Sequence, residues 1–244
     1  MDHSKIILTR RCNLDCCYCT EHNKAGAMAD RAQVLDACRR AAGEGIHRFQ
    51  LTGGEPLLYD DVPGLVRDMK DVPGVDWVSL TTNGTLLYPL IAPLKEAGLD
   101  GINVHLDTCE AYAFTEITGR SQMLNEILRG IWAAVARDIP LTVSAVMLQE
   151  NAAHLPVLAG LARQYDLTVR FVNGQGAGSA AGPDEHEALG ILSRSVKELE
   201  RRGKAYYAPG WKGRIEFGTE ICGAFDMEQG AVLAFGEDAL EGQS

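Results

Sequence analysis

The sequence has no long apolar run and comparatively few positive charges. None of its hydrophobic stretches reaches the roughly 20 residues that a membrane-spanning helix needs, and its first residues (MDHSK) lack the pattern of a secretory signal. Acidic residues outnumber basic ones by 33 to 23, giving a net charge of -10, which argues against broad binding to nucleic acid. We therefore expect a cytoplasmic protein that binds neither a membrane nor a nucleic acid.

The cysteines are informative by their number and placement. The chain has seven cysteines, an odd number, and Cys12, Cys16 and Cys19 are bunched directly after an apolar run. This pattern suits a reducing compartment and metal ligation better than disulfide bonds. Three thiolates on one loop repel one another unless a metal or a cluster takes up their charge.

Two kinds of metal site fit this spacing. A cubane iron–sulfur cluster held by three cysteines leaves one iron open to bind and activate a small molecule. A structural zinc site needs a fourth ligand, for which His22 has a plausible spacing. The spacing favours the cluster, and zinc and a disulfide stay open as alternatives.

Hydrophobic patterning alternates between strands and helices. Six β-branched runs are predicted as strands, at residues 5–9, 46–52, 77–82, 101–106, 141–148 and 168–172. Helical patterns follow them, one capped by Asp30, one by Asn151, and a last one starting at Asp184 with Leu199 on its apolar stripe. This alternation predicts parallel βαβ units in an open sheet or a barrel.

The remaining segments are predicted to be a linker and an appendage. Residues 173–183 are small and glycine-rich, which predicts a flexible linker or a lid over the strand ends. Residues 184–244 are predicted as a C-terminal appendage of one helix and a hairpin that pairs 214–217 with 231–235. The predicted barrel domain is thus residues 1–172.

Distinctive residues follow the predicted strands. Gly53, Gly54 and Glu55 come after the second strand, and His105 comes at the end of the fourth. Glycines let a ligand approach the backbone, and a carboxylate beside exposed peptide groups is suited to holding an amino group. Because ligands bind at the carboxyl ends of parallel strands, we expect the site at that edge.

The Cys12-x3-Cys16-x2-Cys19 motif, with Tyr18 before its last cysteine and Gly53–Pro56 downstream, resembles the radical S-adenosylmethionine superfamily. The resemblance implies a partial (β/α)6 TIM-like barrel and a [4Fe–4S] cluster on the three cysteines. It further implies that S-adenosylmethionine chelates the open iron and is cleaved to a 5′-deoxyadenosyl radical, which abstracts a substrate hydrogen. The implied partners are a small-molecule substrate and an external electron donor such as flavodoxin or ferredoxin.

Within the superfamily, motifs over residues 5–172 resemble the GTP 3′,8-cyclases of molybdenum-cofactor biosynthesis. They are Thr9–Asn13, Leu51–Leu58, Thr81–Gly84, Asn103–Asp107, Ile117–Arg120 and Arg170–Phe171. The resemblance assigns cofactor binding to Tyr18, Gly53, Gly54, Glu55, Thr82, Asn83 and His105. It assigns substrate binding to Lys5, Arg48, Gln50 and Arg170. The cyclases usually have serine at the position of His105, which makes its cofactor contact a weaker expectation.

Two departures from the cyclases bear on the substrate. The cyclases bind a second cluster through three C-terminal cysteines, whereas Cys222 alone stands in that region here. Among the residues that hold the triphosphate, Arg170 is kept, Lys5 replaces an arginine, Arg48 replaces a lysine and Gln50 replaces an arginine. We therefore expect one cluster, no reaction on GTP, and a small anionic substrate such as a nucleotide or a sugar acid in a specialised biosynthetic pathway.

Other functions stay open. The step after hydrogen abstraction is not indicated, although the loss of the second cluster favours redox-neutral chemistry. Modification of a peptide or protein, including activation of a glycyl-radical enzyme, is the alternative within the enzyme class. A zinc-stabilised binding protein on a degenerate barrel is the alternative from another class.

Overall fold

Ten strands form one sheet in a computed structural model that describes residues 3–19, 28–174, 182–218 and, as backbone only, 231–234. The strand order is β10-β1-β2-β3-β4-β5-β6-β9-β8-β7. The strands are β1 (His3–Thr9), β2 (Arg48–Gly53), β3 (Trp77–Thr82), β4 (Gly101–His105), β5 (Leu141–Met147), β6 (Thr168–Asn173), β7 (Glu200–Arg202), β8 (Ala205–Tyr207), β9 (Arg214–Gly218) and β10 (Ala231–Ala234). All neighbours are parallel except for β8, which is antiparallel to both β7 and β9.

Helices follow each of the first six strands. In the described residues they are α1 (Arg31–Gly43), α2 (Val62–Lys70), α3 (Leu87–Glu96), α4 (Ala111–Thr118), α5 (Leu124–Val135), α6 (Leu155–Tyr165) and α7 (Glu185–Leu192). The six βα units in sequence order confirm the predicted (β/α)6 arrangement. Asp30 and Asp184 accept hydrogen bonds from backbone N–H groups of α1 and α7, as predicted for N-caps. Helix α4 was not predicted from the sequence pattern.

The two faces of the sheet differ in polarity. Alternate residues such as Ile6, Leu51, Leu80, Val104 and Val143 are fully buried in the apolar core with the helices. The intervening positions form a second face that is mostly polar, which we call the inner face. In the described strands it carries Lys5, Arg48, Gln50, Ser79, Thr81, Asn103, His105, Thr142, Ser144, Thr168, Arg170, Arg214 and Glu216.

The predicted C-terminal hairpin is wrong. β9 pairs with β6 and β10 pairs with β1, so the two segments lie in separate parts of the sheet instead of beside each other. The hairpin that does form joins β7 to β8. Helix α7 ends at Leu192 instead of continuing to Leu199, as was expected. Because β9 and β10 extend the sheet of the predicted barrel, the appendage shares its sheet. The domain boundaries at 172 and 184 stay a prediction.

Asn151 stands at the start of the short 3-10 turn before α6, but its side chain makes no capping hydrogen bond, contrary to prediction. It is fully buried, and its side chain accepts from the Leu148 N–H at 2.9 Å while donating to the carbonyls of Val146 and Asp107. It therefore joins the end of β5 to the segment after β4. The predicted lid lies mostly outside the described residues, as does Cys222. No helix in the described ranges is long and apolar enough to cross a membrane.

Candidate active site

The three motif cysteines lie on residues 10–19, which we call the cysteine loop, between β1 and α1. Cys12, Cys16 and Cys19 are partly buried, whereas Cys17 is exposed. Burial is the main cause that raises the pKa of both Cys12 and Cys16, and the charges of the other motif thiols raise it further. Binding of a cluster or metal by these thiols displaces their protons.

The end of α4 holds the cysteine loop. The backbone N–H groups of Asp15 and Cys17 each donate to a carbonyl in the last turn of α4, on Thr118 and Ile117, at 2.8 Å. Gly119 follows the helix in a left-handed conformation (φ 65°), and an added Cβ would lie 3.1 Å from Cβ of Asp15. Residues 117–120, whose motif resembles that of the cyclases, thus hold the cysteine loop in place.

Gly53 and Gly54 bring the end of β2 against the start of the cysteine loop. The N–H of Gly54 donates to the Thr9 carbonyl at 2.8 Å, and the N–H of Glu55 donates to the Arg11 carbonyl at 2.8 Å. A Cβ on Gly53 would overlap the Thr9 carbonyl, and one on Gly54 would overlap the Arg11 carbonyl. The missing side chains therefore let the chain's own loop approach, a role that the sequence did not indicate.

Gly54→Ala is accordingly expected to displace the cysteine loop. Overpacking of this kind costs about 1–3 kcal/mol, and we expect lower iron content after reconstitution. Gly43→Ala is the matched control, since a Cβ there meets nothing within 4 Å. Iron analysis of both variants checks the prediction, and full iron content in Gly54→Ala would contradict it.

Glu55, Thr82 and Asn83 converge at the ends of β2 and β3, as predicted. Glu55 is fully buried, and its Oε1 accepts from the Thr82 hydroxyl at 2.7 Å and from the Leu57 N–H at 2.8 Å. Its Oε2 accepts from the Asn83 N–H at 2.7 Å. Burial raises the pKa of Glu55 to about 7, although these three hydrogen bonds oppose the shift.

This raised pKa predicts a pH-dependent stability. The folded chain binds the Glu55 proton more tightly than the unfolded chain does. Protonation of Glu55 therefore adds its full contribution to the free energy of unfolding below pH 4.5, and this contribution is lost as pH rises through about 7. The loss amounts to about 3 kcal/mol. We expect urea unfolding of cluster-free protein to show this loss in the wild type relative to Glu55→Gln. Equal pH dependence in both proteins would contradict it.

The side chain of Asn83 ties β3 to the cysteine loop. Its Nδ2 donates to Oδ1 of Asn13 at 2.8 Å and lies 3.8 Å from Sγ of Cys12. Its Oδ1 accepts from the Thr85 hydroxyl at 2.7 Å, and Asn13 Nδ2 donates to the same hydroxyl at 2.8 Å. Asn13 and Thr85, which the sequence left without a role, thus complete a network around the first cysteine.

Tyr18 and His105 meet at a buried carboxylate. The Tyr18 hydroxyl donates to Oδ2 of Asp107 at 2.7 Å and lies 2.6 Å from Nε2 of His105. That ring nitrogen is 3.0 Å from Oδ1 of Asp107, and Nδ1 lies 3.3 Å from the Ser144 hydroxyl. Burial lowers the pKa of His105, but the Asp107 carboxylate outweighs it and raises the pKa overall. Asp107 ends the Asn103–Asp107 motif, but the sequence did not indicate it as a site residue.

The sequence matches the family described as "Radical SAM superfamily" over residues 6–162. The chain belongs to the radical S-adenosylmethionine superfamily. It is similar to the GTP 3′,8-cyclase of Chlorobaculum tepidum, with 38% identity over 70% of this chain and 53% of the relative. Against the GTP 3′,8-cyclase of Moorella thermoacetica, identity is 36% over 92% of this chain and 75% of the relative.

The fold is also found among solved radical S-adenosylmethionine structures. Streptococcus suis SuiB bound to S-adenosylmethionine superposes with a TM-score of 0.69 at 16% identity, over 91% of this chain and 51% of that one. The chain thus spans about half the length of SuiB and of the C. tepidum cyclase. Its cofactors are those of the superfamily, a [4Fe–4S] cluster and S-adenosylmethionine, and three free cysteine thiols on one loop fit such a cluster.

The four residues predicted to bind substrate lie on the inner face of this radical S-adenosylmethionine chain. Lys5 and Gln50 are register partners on β1 and β2. Gln50 is fully buried, and its Nε2 donates to the Thr81 hydroxyl. Arg48 is exposed at the start of β2, where its guanidinium lies 4.9 Å from the centre of the Trp77 ring.

Arg170 is not a lone cation. Its Nε and Nη2 donate to Oε2 of Glu216 on β9, at 3.1 and 2.6 Å, and both side chains are largely buried. Arg214 donates to Oε1 of the same carboxylate at 2.6 Å. Burial opposes ionisation of Glu216, but the two guanidiniums lower its pKa overall. Two arginines therefore share one carboxylate, which leaves the group with one net positive charge.

A cavity of about 770 Å³ opens at the amino ends of the strands, opposite the cysteine loop. It is lined by Arg48, Trp77, Arg170, Arg214 and Glu216, among others. Two of the predicted substrate residues therefore face it. The inner face runs from this cavity to the cysteine loop.

Proposed function

We propose that Cys12, Cys16 and Cys19 hold one [4Fe–4S] cluster and that the chain acts on a small anionic molecule, a nucleotide or a sugar acid. When bound and reduced, the cluster and S-adenosylmethionine supply a 5′-deoxyadenosyl radical that removes a hydrogen atom from the substrate. The observation that carries the proposal is the meeting of the cysteine loop with Glu55 and Asn83 at the carboxyl ends of the strands. An external donor such as flavodoxin or ferredoxin supplies the electron.

Glu55 is proposed to hold the amino group of S-adenosylmethionine. A carboxylate offers about four acceptor positions, and Leu57, Thr82 and Asn83 fill three of them. One position stays for the cofactor, beside the backbone of Gly53 and Gly54. Thr82 and Asn83 then act by orienting the carboxylate and the cysteine loop.

His105 is proposed to lie beside the nucleoside part of the cofactor, with Tyr18 as its support. The Tyr18 hydroxyl is committed to Asp107 and His105, and the Tyr18 side chain is buried. Tyr18 therefore positions the imidazole instead of touching the cofactor through its hydroxyl.

The charge distribution supports an anionic substrate other than GTP. Arg48 borders the cavity, and together with the one net positive charge shared by Arg170, Arg214 and Glu216 it suits one phosphate or carboxylate. A triphosphate needs more positive charge than this. The uncharged Gln50 stands where the cyclases have a cation, and Oε2 of Glu216 already accepts hydrogen bonds from both Nε and Nη2 of Arg170.

Iron content, together with the rate of 5′-deoxyadenosine release with and without GTP, tests this proposal. We expect anaerobically reconstituted, reduced protein to contain about four irons per chain and to release 5′-deoxyadenosine slowly, at a rate that GTP does not change. About eight irons with GTP-stimulated release would show that a second cluster is present and that the protein acts as a cyclase.

A further inference from the structure

Two buried carboxamides on the inner face have atoms that find no hydrogen-bond partner among the described residues. Asn103 on β4 is 1% exposed, and neither its Oδ1 nor its Nδ2 has a partner within the described ranges. Gln50 on β2 is 0% exposed, and its Oε1 is likewise unpartnered, while its Nε2 donates to Thr81. Buried polar atoms of this kind are rare in folded proteins, because each costs free energy when no partner is present.

The two carboxamides lie on either side of β3 and share Thr81 as a neighbour. Thr81, which accepts from Gln50, is the register partner of Asn103 on the adjacent strand. Asn103 is also two residues before His105 on the same strand, so its side chain leaves the same face about 7 Å further from the cysteine loop. A substrate that lies against the cofactor site and extends along the inner face would therefore reach both side chains.

We propose that Asn103 and Gln50 bind an amide or lactam edge of the substrate, such as that of a nucleobase or a peptide group. Together they offer two acceptor oxygens and one NH2 donor. A carboxamide pairs through two hydrogen bonds with a group that presents one donor and one acceptor side by side. A phosphate presents only acceptors and leaves both oxygens unpaired. The inference rests on the proposed function, whose substrate class it narrows to anionic molecules that also carry such an edge.

The satisfied carboxamide of Asn151 provides a matched control for stability. Asn151 is as deeply buried as Asn103 but makes three hydrogen bonds within the chain. Asn103→Leu is therefore expected to raise the unfolding midpoint of the cluster-loaded protein by about 2 °C or more, because it removes unpaired polar atoms. Asn151→Leu is expected to lower it. A comparable loss in both variants would make Asn103 a structural residue and would overturn the proposal.

Binding is measured on protein loaded with cluster and S-adenosylmethionine but not reduced, so that no turnover occurs. The calorimetric probes are uridine, N-acetylglycinamide and ribose 5-phosphate. We expect at least one amide probe to bind the wild type, and Asn103→Leu to weaken that binding by about tenfold or more. Preference for uridine indicates a nucleobase, and preference for N-acetylglycinamide indicates a peptide-like amide.

Binding of ribose 5-phosphate alone, with equal affinity in wild type and Asn103→Leu, would overturn the proposal. Binding of an amide probe that is unchanged by Asn103→Leu would overturn it as well. Failure of the proposed function is seen separately, as absence of 5′-deoxyadenosine from reduced wild-type protein.

Discussion

Replacing Cys12, Cys16 or Cys19 by alanine is expected to abolish both cluster binding and cleavage of S-adenosylmethionine. Each substitution removes the protein ligand of one iron and leaves the cluster with only two of the three motif cysteines. Cys17→Ala is the matched control, because this neighbour is exposed and lies outside the motif spacing. The measurements are iron and sulfide per chain and 5′-deoxyadenosine after reduction.

Cys17→Ala is expected to keep wild-type iron content and 5′-deoxyadenosine formation. If Cys17→Ala loses iron while one of the motif variants keeps it, the assignment of ligands to the motif cysteines is wrong.

Glu216→Leu is expected to destabilise the protein by about 3–5 kcal/mol, because it leaves the largely buried Arg170 guanidinium without its carboxylate. Arg170→Met combined with Glu216→Leu is expected to recover most of that loss, since an apolar pair of similar volume replaces the buried ion pair. Arg214 then keeps its charge in a half-exposed position, where water solvates it. Urea unfolding at matched cluster content measures the free energies of unfolding.

The Arg39–Asp36 pair is the control for this experiment. It has the same 2.6 Å separation, but both side chains are more than half exposed. Asp36→Ala should therefore change the free energy of unfolding by less than about 1 kcal/mol. A loss of stability in Glu216→Leu no larger than that in Asp36→Ala would show that the buried Arg170 guanidinium does not depend on Glu216, and would contradict this prediction.

The convergence of Glu55, Thr82 and Asn83 could be predicted because it follows from a local rule. The residues come directly after β2 and β3, and the carboxyl ends of neighbouring parallel strands meet at one edge. The strands themselves could be predicted for a similar reason, since short buried runs alternate with helical patterns. Motif resemblance then placed the cysteines at the same edge.

The partner of Arg170 could not be predicted, because it depends on pairing between distant segments. Glu216 is 46 residues away and reaches Arg170 only because β9 adds to the sheet beside β6. The short strands β9 and β10 resemble a hairpin in sequence. No local sequence pattern indicates that β9 pairs with β6 and β10 with β1. Asn151 shows the same limit, because its capping signal is overridden by three buried backbone partners.

The unpaired amide atoms of Asn103 and Gln50 were likewise invisible in the sequence. Asparagine in a strand pattern indicates only a polar position, and hydrogen-bond satisfaction depends on the residues across the inner face. Gln50 was assigned to substrate binding through the resemblance alone. Asn103 begins the Asn103–Asp107 motif, but the resemblance assigned no role to it.

Electron paramagnetic resonance of the reduced protein tests the central claim most directly, namely that the cysteine loop holds a cluster with one iron open to S-adenosylmethionine. We expect a signal typical of a reduced [4Fe–4S] cluster, which changes when S-adenosylmethionine is added because the cofactor binds the open iron. Glu55→Gln should weaken the change by lowering cofactor affinity. A cluster signal that S-adenosylmethionine leaves unaltered, or zinc bound without iron and sulfide, would contradict the account.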